Sequence, residues 1–101
     1  MESDSIALDA ELGRLALVGD IEAHHDSELT DLISRYSDGH RHDLLLDLTA
    51  VTFLPSSIVG TLLRARMLAV RNGVTVTFTA RAATVPKRVL EVCGIPHEVI
   101  L

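Results

Sequence analysis

Between Asp43 and Gly73 the chain passes from a nearly unbroken apolar run to a long helix-compatible segment, with two serines at the junction. No other stretch restricts the fold as much. Asp43-Leu44-Leu45-Leu46-Asp47-Leu48 sets four leucines around one aspartate, the pattern expected of a strand buried on both faces. Thr49 to Leu54 follow, then Pro55-Ser56-Ser57, then a run to Asn72-Gly73 whose only charged residues are arginines. That run is long enough for about four turns of helix. A strand that hands hydroxyls to a helix N-terminus puts them beside free backbone N–H groups and the positive end of the helix dipole, where phosphate is stabilised. Ser56 and Ser57 are therefore candidate site residues.

The remaining segments arrange themselves around this unit. Ser5 to Val18 is expected to form a hairpin, with Ile6, Leu8 and Ala10 alternating and a turn at Glu11-Leu12-Gly13. Asp26 is expected to cap a helix in which Leu29, Leu32, Ile33 and Tyr36 form one stripe, stopped at Asp38-Gly39. After Gly73, Val74 to Thr79 alternates with β-branched residues and predicts a strand with one wet face. Thr84 is expected to cap a short helix with Pro86 in its first turn. Val85, Val89, Leu90, Val92 and Cys93 would supply its apolar side, and His97 to Leu101 a last strand or tail. Strand, strand, helix, strand, helix, strand, helix, strand is the order of an α/β domain with a small mixed, mainly parallel sheet. Its three helices suffice to cover one face. At 101 residues the chain has room for a single domain, 1–101.

On the long helix, Leu62, Ala65 and Ala69 fall within about 40° of Ile58. A second apolar row of Val59, Leu63, Met67 and Val70 spreads over about 100–180°. The apolar arc of about 200° exceeds the roughly 100° that a helix needs to cover a core. The helix is thus either wedged between a sheet and a neighbouring helix, or its second row meets a partner.

Composition excludes several functions. A formal net charge of −5 and 3% aromatic residues argue against nucleic-acid binding, which needs a basic face or a stacking surface. The 48% apolar fraction argues against disorder, and no apolar run reaches the roughly 18 residues of a membrane span. The acidic start, Met1-Glu2-Ser3-Asp4-Ser5, lacks a secretory pattern, and the single Cys93 has no disulfide partner within the chain. These features lead to the expectation of a cytoplasmic protein. His24-His25 and His40/His42 flank a helix that holds its ends about 20 Å apart, so they are expected in solvated loops and no metal site is predicted. Cys93 is expected to be a small buried residue. The Gly-x-Ser-x-Gly elbow is absent around Ser57, where Pro55 and Val59 occupy the glycine places, and no Gly-rich phosphate loop appears. An enzyme is not predicted.

Leu45-Leu46-Asp47-Leu48-Thr49-Ala50-Val51-Thr52-Phe53-Leu54, Ser56-Ser57, Arg71-Asn72-Gly73-Val74 and Val89-Leu90-Glu91-Val92-Cys93-Gly94-Ile95 stand in the order and spacing of a known family. From Ile6 to about Leu101 the chain resembles a STAS domain, the fold of bacterial anti-sigma factor antagonists. In that family the segment before the long helix typically reads Asp-Ser-Ser/Thr-Gly-Leu-Gly. Its second hydroxyl is phosphorylated by a cognate anti-sigma kinase, and the unphosphorylated form binds that kinase to release a sigma factor.

The resemblance implies that Ser57 is the phosphoacceptor, Ser56 the preceding hydroxyl and Gly60 the second glycine. Pro55 stands where the family has Asp, and Ile58 where it has Gly. Pro55 removes a carboxylate and an N–H, and Ile58 puts a branched chain where a partner backbone would approach. Two readings of the serines stay open, a regulatory phosphoserine at Ser57 or a plain N-cap by either one. The family position of Asp47 implies a structural carboxylate that holds the loop before Ser56. The implied partner is an anti-sigma factor with serine kinase activity, meeting Pro55, Ser56, Ser57, Ile58, Val59, Gly60, Leu63 and Met67. ATP would sit on the kinase, with no cofactor here, and a homodimer is compatible with the reading. The alternative is an unswitched scaffold, in a stressosome-like assembly or as the small subunit of a lipid-transport ATPase.

Overall fold

A computed structural model describes residues 5–101. The elements are β1 (Ala7–Glu11), β2 (Arg14–Asp20), a 3₁₀ turn (Ala23–His25), α1 (Asp26–Tyr36), β3 (Leu44–Phe53), α2 (Ser56–Arg71), β4 (Val76–Arg81), α3 (Val85–Val92) and β5 (Glu98–Ile100). They form one five-stranded sheet in the order β1-β2-β3-β4-β5. The β1–β2 hairpin is antiparallel, and every other pairing is parallel. Because the parallel strands follow one another in chain order, right-handed crossovers send all three helices to the same face. The predicted α/β architecture is what the chain adopts.

The core lies between that face and the helices. Leu15 and Leu17 of β2, Leu44, Leu46 and Leu48 of β3, and Phe78 and Ala80 of β4 are buried there. They meet Leu29 and Ile33 of α1, Ile58, Leu62 and Ala65 of α2, and Leu90 of α3. β3 departs from its expected form. It is ten residues long, and its alternate residues Leu45 and Asp47 are only partly buried, so one face packs on helices while the other stays open. An apolar run reads alike for both cases, since leucine supplies no polar marker on the open side.

β3 also carries an irregularity. Ala16 pairs with Asp47 but Val18 with Ala50, so β3 spends one residue more than β2 over this interval. Burial shifts phase accordingly, from Leu44, Leu46 and Leu48 to Val51. In β1 a similar shift between Ala7 and Asp9 breaks the expected alternation and leaves Leu8 exposed. β4 begins and ends two residues later than Val74–Thr79, and Phe78, Thr79 and Ala80 are all buried because β5 pairs along its other side.

Of the three α-helices only α3 starts with a side-chain cap. The Thr84 hydroxyl accepts from the Lys87 N–H and donates to the Arg81 carbonyl, with Pro86 in the first turn. Thr84→Ala is expected to lower stability by about 0.5–1 kcal/mol, read from urea midpoints. Asp26, expected to cap α1, is instead its first residue. The preceding 3₁₀ turn closes that end through Glu22 and His25, whose Nδ1 accepts from the Glu22 N–H at 2.8 Å. His25 is therefore buried rather than solvated. α3 buries Pro86 and Leu90 and partly Val89, whereas Val85, Val92 and Cys93 are exposed, against the expectation for all three.

Candidate functional site

The serines lie where strand meets helix. Leu54 is buried and pins the end of β3, and Pro55 is the residue before α2, with φ −76° and ψ 150°. Proline suits this place because its fixed φ matches an extended residue at the helix entry. Its carbonyl accepts from the Ile58 N–H at 3.0 Å. Ser56 and Ser57 are thus the first two residues of α2, both exposed. Neither side chain caps the helix, and neither hydroxyl hydrogen-bonds to another described residue. The plain-cap reading fails on geometry, since a cap must precede the first helical residue for its oxygen to turn back onto the N–H groups. The first turn of α2 contains no acid.

The expected partner-binding residues separate into two groups. Ile58 is 0% and Val59 6% exposed, and both belong to the core. They cannot offer side chains to a partner, which corrects their inclusion in a contact surface. Ile58 lies on the row of Leu62, Ala65 and Ala69 that faces the sheet, and Val59 turns inward from the edge of that row. Leu63, Met67 and Val70 are 42%, 53% and 67% exposed. Ser56 and Gly60 are exposed as well. At Gly60 an added Cβ would meet nothing within 4 Å, so this point is open to close approach. The wide apolar arc thus resolves both ways, with one edge wedged into the core and the other free.

α2 is tied to the α1 segment at two points, in its second turn and just past its C-terminus. The Thr61 hydroxyl bonds to the Asp26 carboxylate at the start of α1. At the far end Asn72 Nδ2 donates to the His40 carbonyl at 2.7 Å. Sequence reasoning missed this pair of ties, because a threonine on a helix flank and an asparagine at a C-terminus look like ordinary surface residues.

Asp47 is not at the serine loop. It sits on the open face of the sheet, opposite Ala16 and Thr79. Its Oδ1 accepts from the Thr49 N–H at 2.9 Å, the Thr49 hydroxyl at 2.7 Å and the Thr79 hydroxyl at 3.1 Å. Arg14 Nη2 lies 3.2 Å from its Oδ2, and Nη1 of the same guanidinium reaches Asp9. Burial opposes the charge on Asp47, but the Thr49 and Thr79 hydrogen bonds and the Arg14 guanidinium together outweigh it and hold the carboxyl below its usual pKa. The carboxylate takes up the Thr49 N–H at the irregularity in β3, which makes it structural in a different way from that expected.

Among the described residues, no group of three His, Cys, Asp or Glu side chains is placed to hold a metal ion, and no helix is long and apolar enough to cross a membrane. A comparison with curated proteins gave no match. A family model described as "Mlab, STAS domain" matches residues 5–101, nearly the whole chain. The family includes anti-sigma factor antagonists, and its domains are typically non-catalytic. With its mixed sheet, its helices on one face and a match of this extent, the chain belongs to the STAS domain family.

Proposed function

We infer that this STAS domain works by binding a protein, as a cytoplasmic antagonist of an anti-sigma factor, through the exposed strip of α2 that begins at Ser56. The observation that carries the reading is the pair of exposed serines in the first turn of α2, at the head of Gly60, Leu63, Met67 and Val70. Ser57 is the proposed phosphoacceptor. A phosphate there would add up to about two negative charges at the positive end of a helix, where the fold tolerates it, while changing the field that a partner meets. Catalysis has no part in this reading, as is typical of the family.

Ser57→Asp is expected to weaken binding of the cognate anti-sigma factor about tenfold or more, with less than about 0.5 kcal/mol change in stability. Isothermal titration beside a urea melt checks both, and equal affinities for wild type and variant would remove the switch.

A second reading is favoured by the buried Ile58 and by Pro55 at the helix entry, two places of the phosphorylation motif that here serve packing and chain direction. It is an unswitched subunit in a stressosome-like scaffold or in a lipid-transport ATPase complex, in line with the family description that names Mlab. Mass spectrometry of the protein from its own cells separates the two. A phosphate on Ser57 supports the first, and its absence under all growth conditions supports the second.

A further inference from the structure

The exposed residues of α2 follow a regular spacing. Ser56, Gly60, Leu63, Met67 and Val70 recur at intervals of four and three, the seam that one helix offers to another in a coiled coil. At about 1.5 Å per residue the seam runs about 21 Å along the helix. Gly60 lets a second backbone come close, and Leu63, Met67 and Val70 supply the apolar contact.

The charges beside the seam have one sign. α2 contains Arg64, Arg66 and Arg71 and no acid, in a chain of net charge −5. Arg66 lies on one side, about 80° from the seam, and Arg64 and Arg71 on the other. Among the described residues none of the three forms an ion pair. Asp31 lines the α1–α2 cleft with Arg64, and Glu98 shares a hollow with Arg66, without pairing with either.

We propose that this seam receives an amphipathic helix of a partner protein whose apolar stripe is rimmed by carboxylates. Charge complementarity selects that occupant over a second copy, which would bring the same arginines to the same rims. The proposal rests on the reading of α2 as the docking face and adds its regulation. Ser57 falls in line with Arg64 and Arg71, at intervals of seven, so a phosphate on Ser57 would stand on the rim that meets the partner's carboxylates.

The test uses the whole chain, labelled for NMR, and two synthetic helices of about 20 residues, long enough to span the seam. Both carry leucine at the seam positions, and one has glutamate and the other lysine along the rims. The glutamate helix is expected to shift amide signals of residues 56–71 and to bind about tenfold or more tighter than its lysine twin, with the difference shrinking as salt rises. In Arg64→Glu/Arg66→Glu/Arg71→Glu, checked for folding by circular dichroism, the order of the two helices is expected to reverse. Equal affinities, or shifts confined to another face, would overturn the proposal. So would concentration-dependent broadening of α2 signals without any peptide, which would name a second copy as the occupant. Tight binding of the glutamate helix together with an unphosphorylated Ser57 in cells would leave the seam intact and remove only the anti-sigma switch.

Discussion

Ile58→Gly, which restores the residue typical of the family motif, is expected to destabilise the protein by about 3–6 kcal/mol. Removing a fully buried isoleucine down to Cβ costs about 2–5 kcal/mol, through lost burial and the cavity left behind. Glycine in place of alanine inside a helix adds about 1 kcal/mol. Against a total of about 5–15 kcal/mol for a domain, that is a large fraction of the stability. Urea unfolding at neutral pH measures it. A loss below about 1 kcal/mol would mean that the core closes over the gap, and that Ile58 is a surface-type departure after all. The same variant answers a functional question only if it stays folded. Ile58→Val, expected to cost about 0.5–1.5 kcal/mol, serves as the milder comparison.

The second large effect is expected at Asp47. Asp47→Ala strips the acceptor from the Thr49 N–H, the Thr49 hydroxyl and the buried Thr79 hydroxyl, and leaves Arg14 with Asp9 alone. A loss of about 2–4 kcal/mol is expected, mainly from buried or partly buried polar groups left without partners. Asp47→Asn keeps an oxygen but no charge, so it isolates the pH-dependent part. In the folded protein the Asp47 carboxyl titrates below the ordinary value of 3.8. The unfolded chain therefore takes up this proton first as the solution is acidified. The contribution of the charge is complete above about pH 4–5 and fades as pH falls through the folded pKa. Wild type is expected to exceed Asp47→Asn in stability at pH 7, with the gap closing as the pH falls below the ordinary carboxylate value. Parallel curves over that range would show that the charge on Asp47 contributes nothing.

Most of the architecture was legible because it rests on repeated signals. The stripe Leu29, Leu32, Ile33, Tyr36 and the row Ile58, Leu62, Ala65, Ala69 are helical periodicities, and each packs where its spacing pointed. Thr84 with Pro86 marked a helix start because capping needs those residue types in that order. The failures share a different cause. Val59 and Leu63 are one turn apart and equally apolar, yet one is buried and the other open. Which edge of a wide apolar arc is covered depends on neighbouring elements, and no residue of α2 records that. Cys93 was expected inside from the usual habit of cysteine, but α3 is short and turns it outward.

The site was legible in place but not in detail. The strand-to-helix junction at Pro55-Ser56-Ser57 could be found from the order of apolar and polar residues, whereas the failure of either serine to cap the helix could not. Whether a hydroxyl precedes a helix or lies in its first turn is a matter of a single residue, and helix boundaries are uncertain by that much from sequence. The extra residue in β3 was hidden for a similar reason. It appears in the sequence only as a change of burial parity between Leu48 and Val51, and the mixed residues Thr49 and Ala50 blur that change.

The ties from α2 to the α1 segment, through Thr61 in its second turn and Asn72 just past its C-terminus, add to the packing of its buried row. With Ile58, Val59, Leu62, Ala65 and Ala69 buried along one side and these ties on its flank, the helix is held about its own axis, so the azimuth of Leu63, Met67 and Val70 is set before any partner arrives. Docking on such a rail requires little ordering of the domain, and the association is expected to behave as the meeting of a rigid ridge with its groove. Alanine in place of Thr61 or Asn72 would remove one exposed tie, and the buried row of Ile58, Leu62, Ala65 and Ala69 is expected to keep the rail at its azimuth.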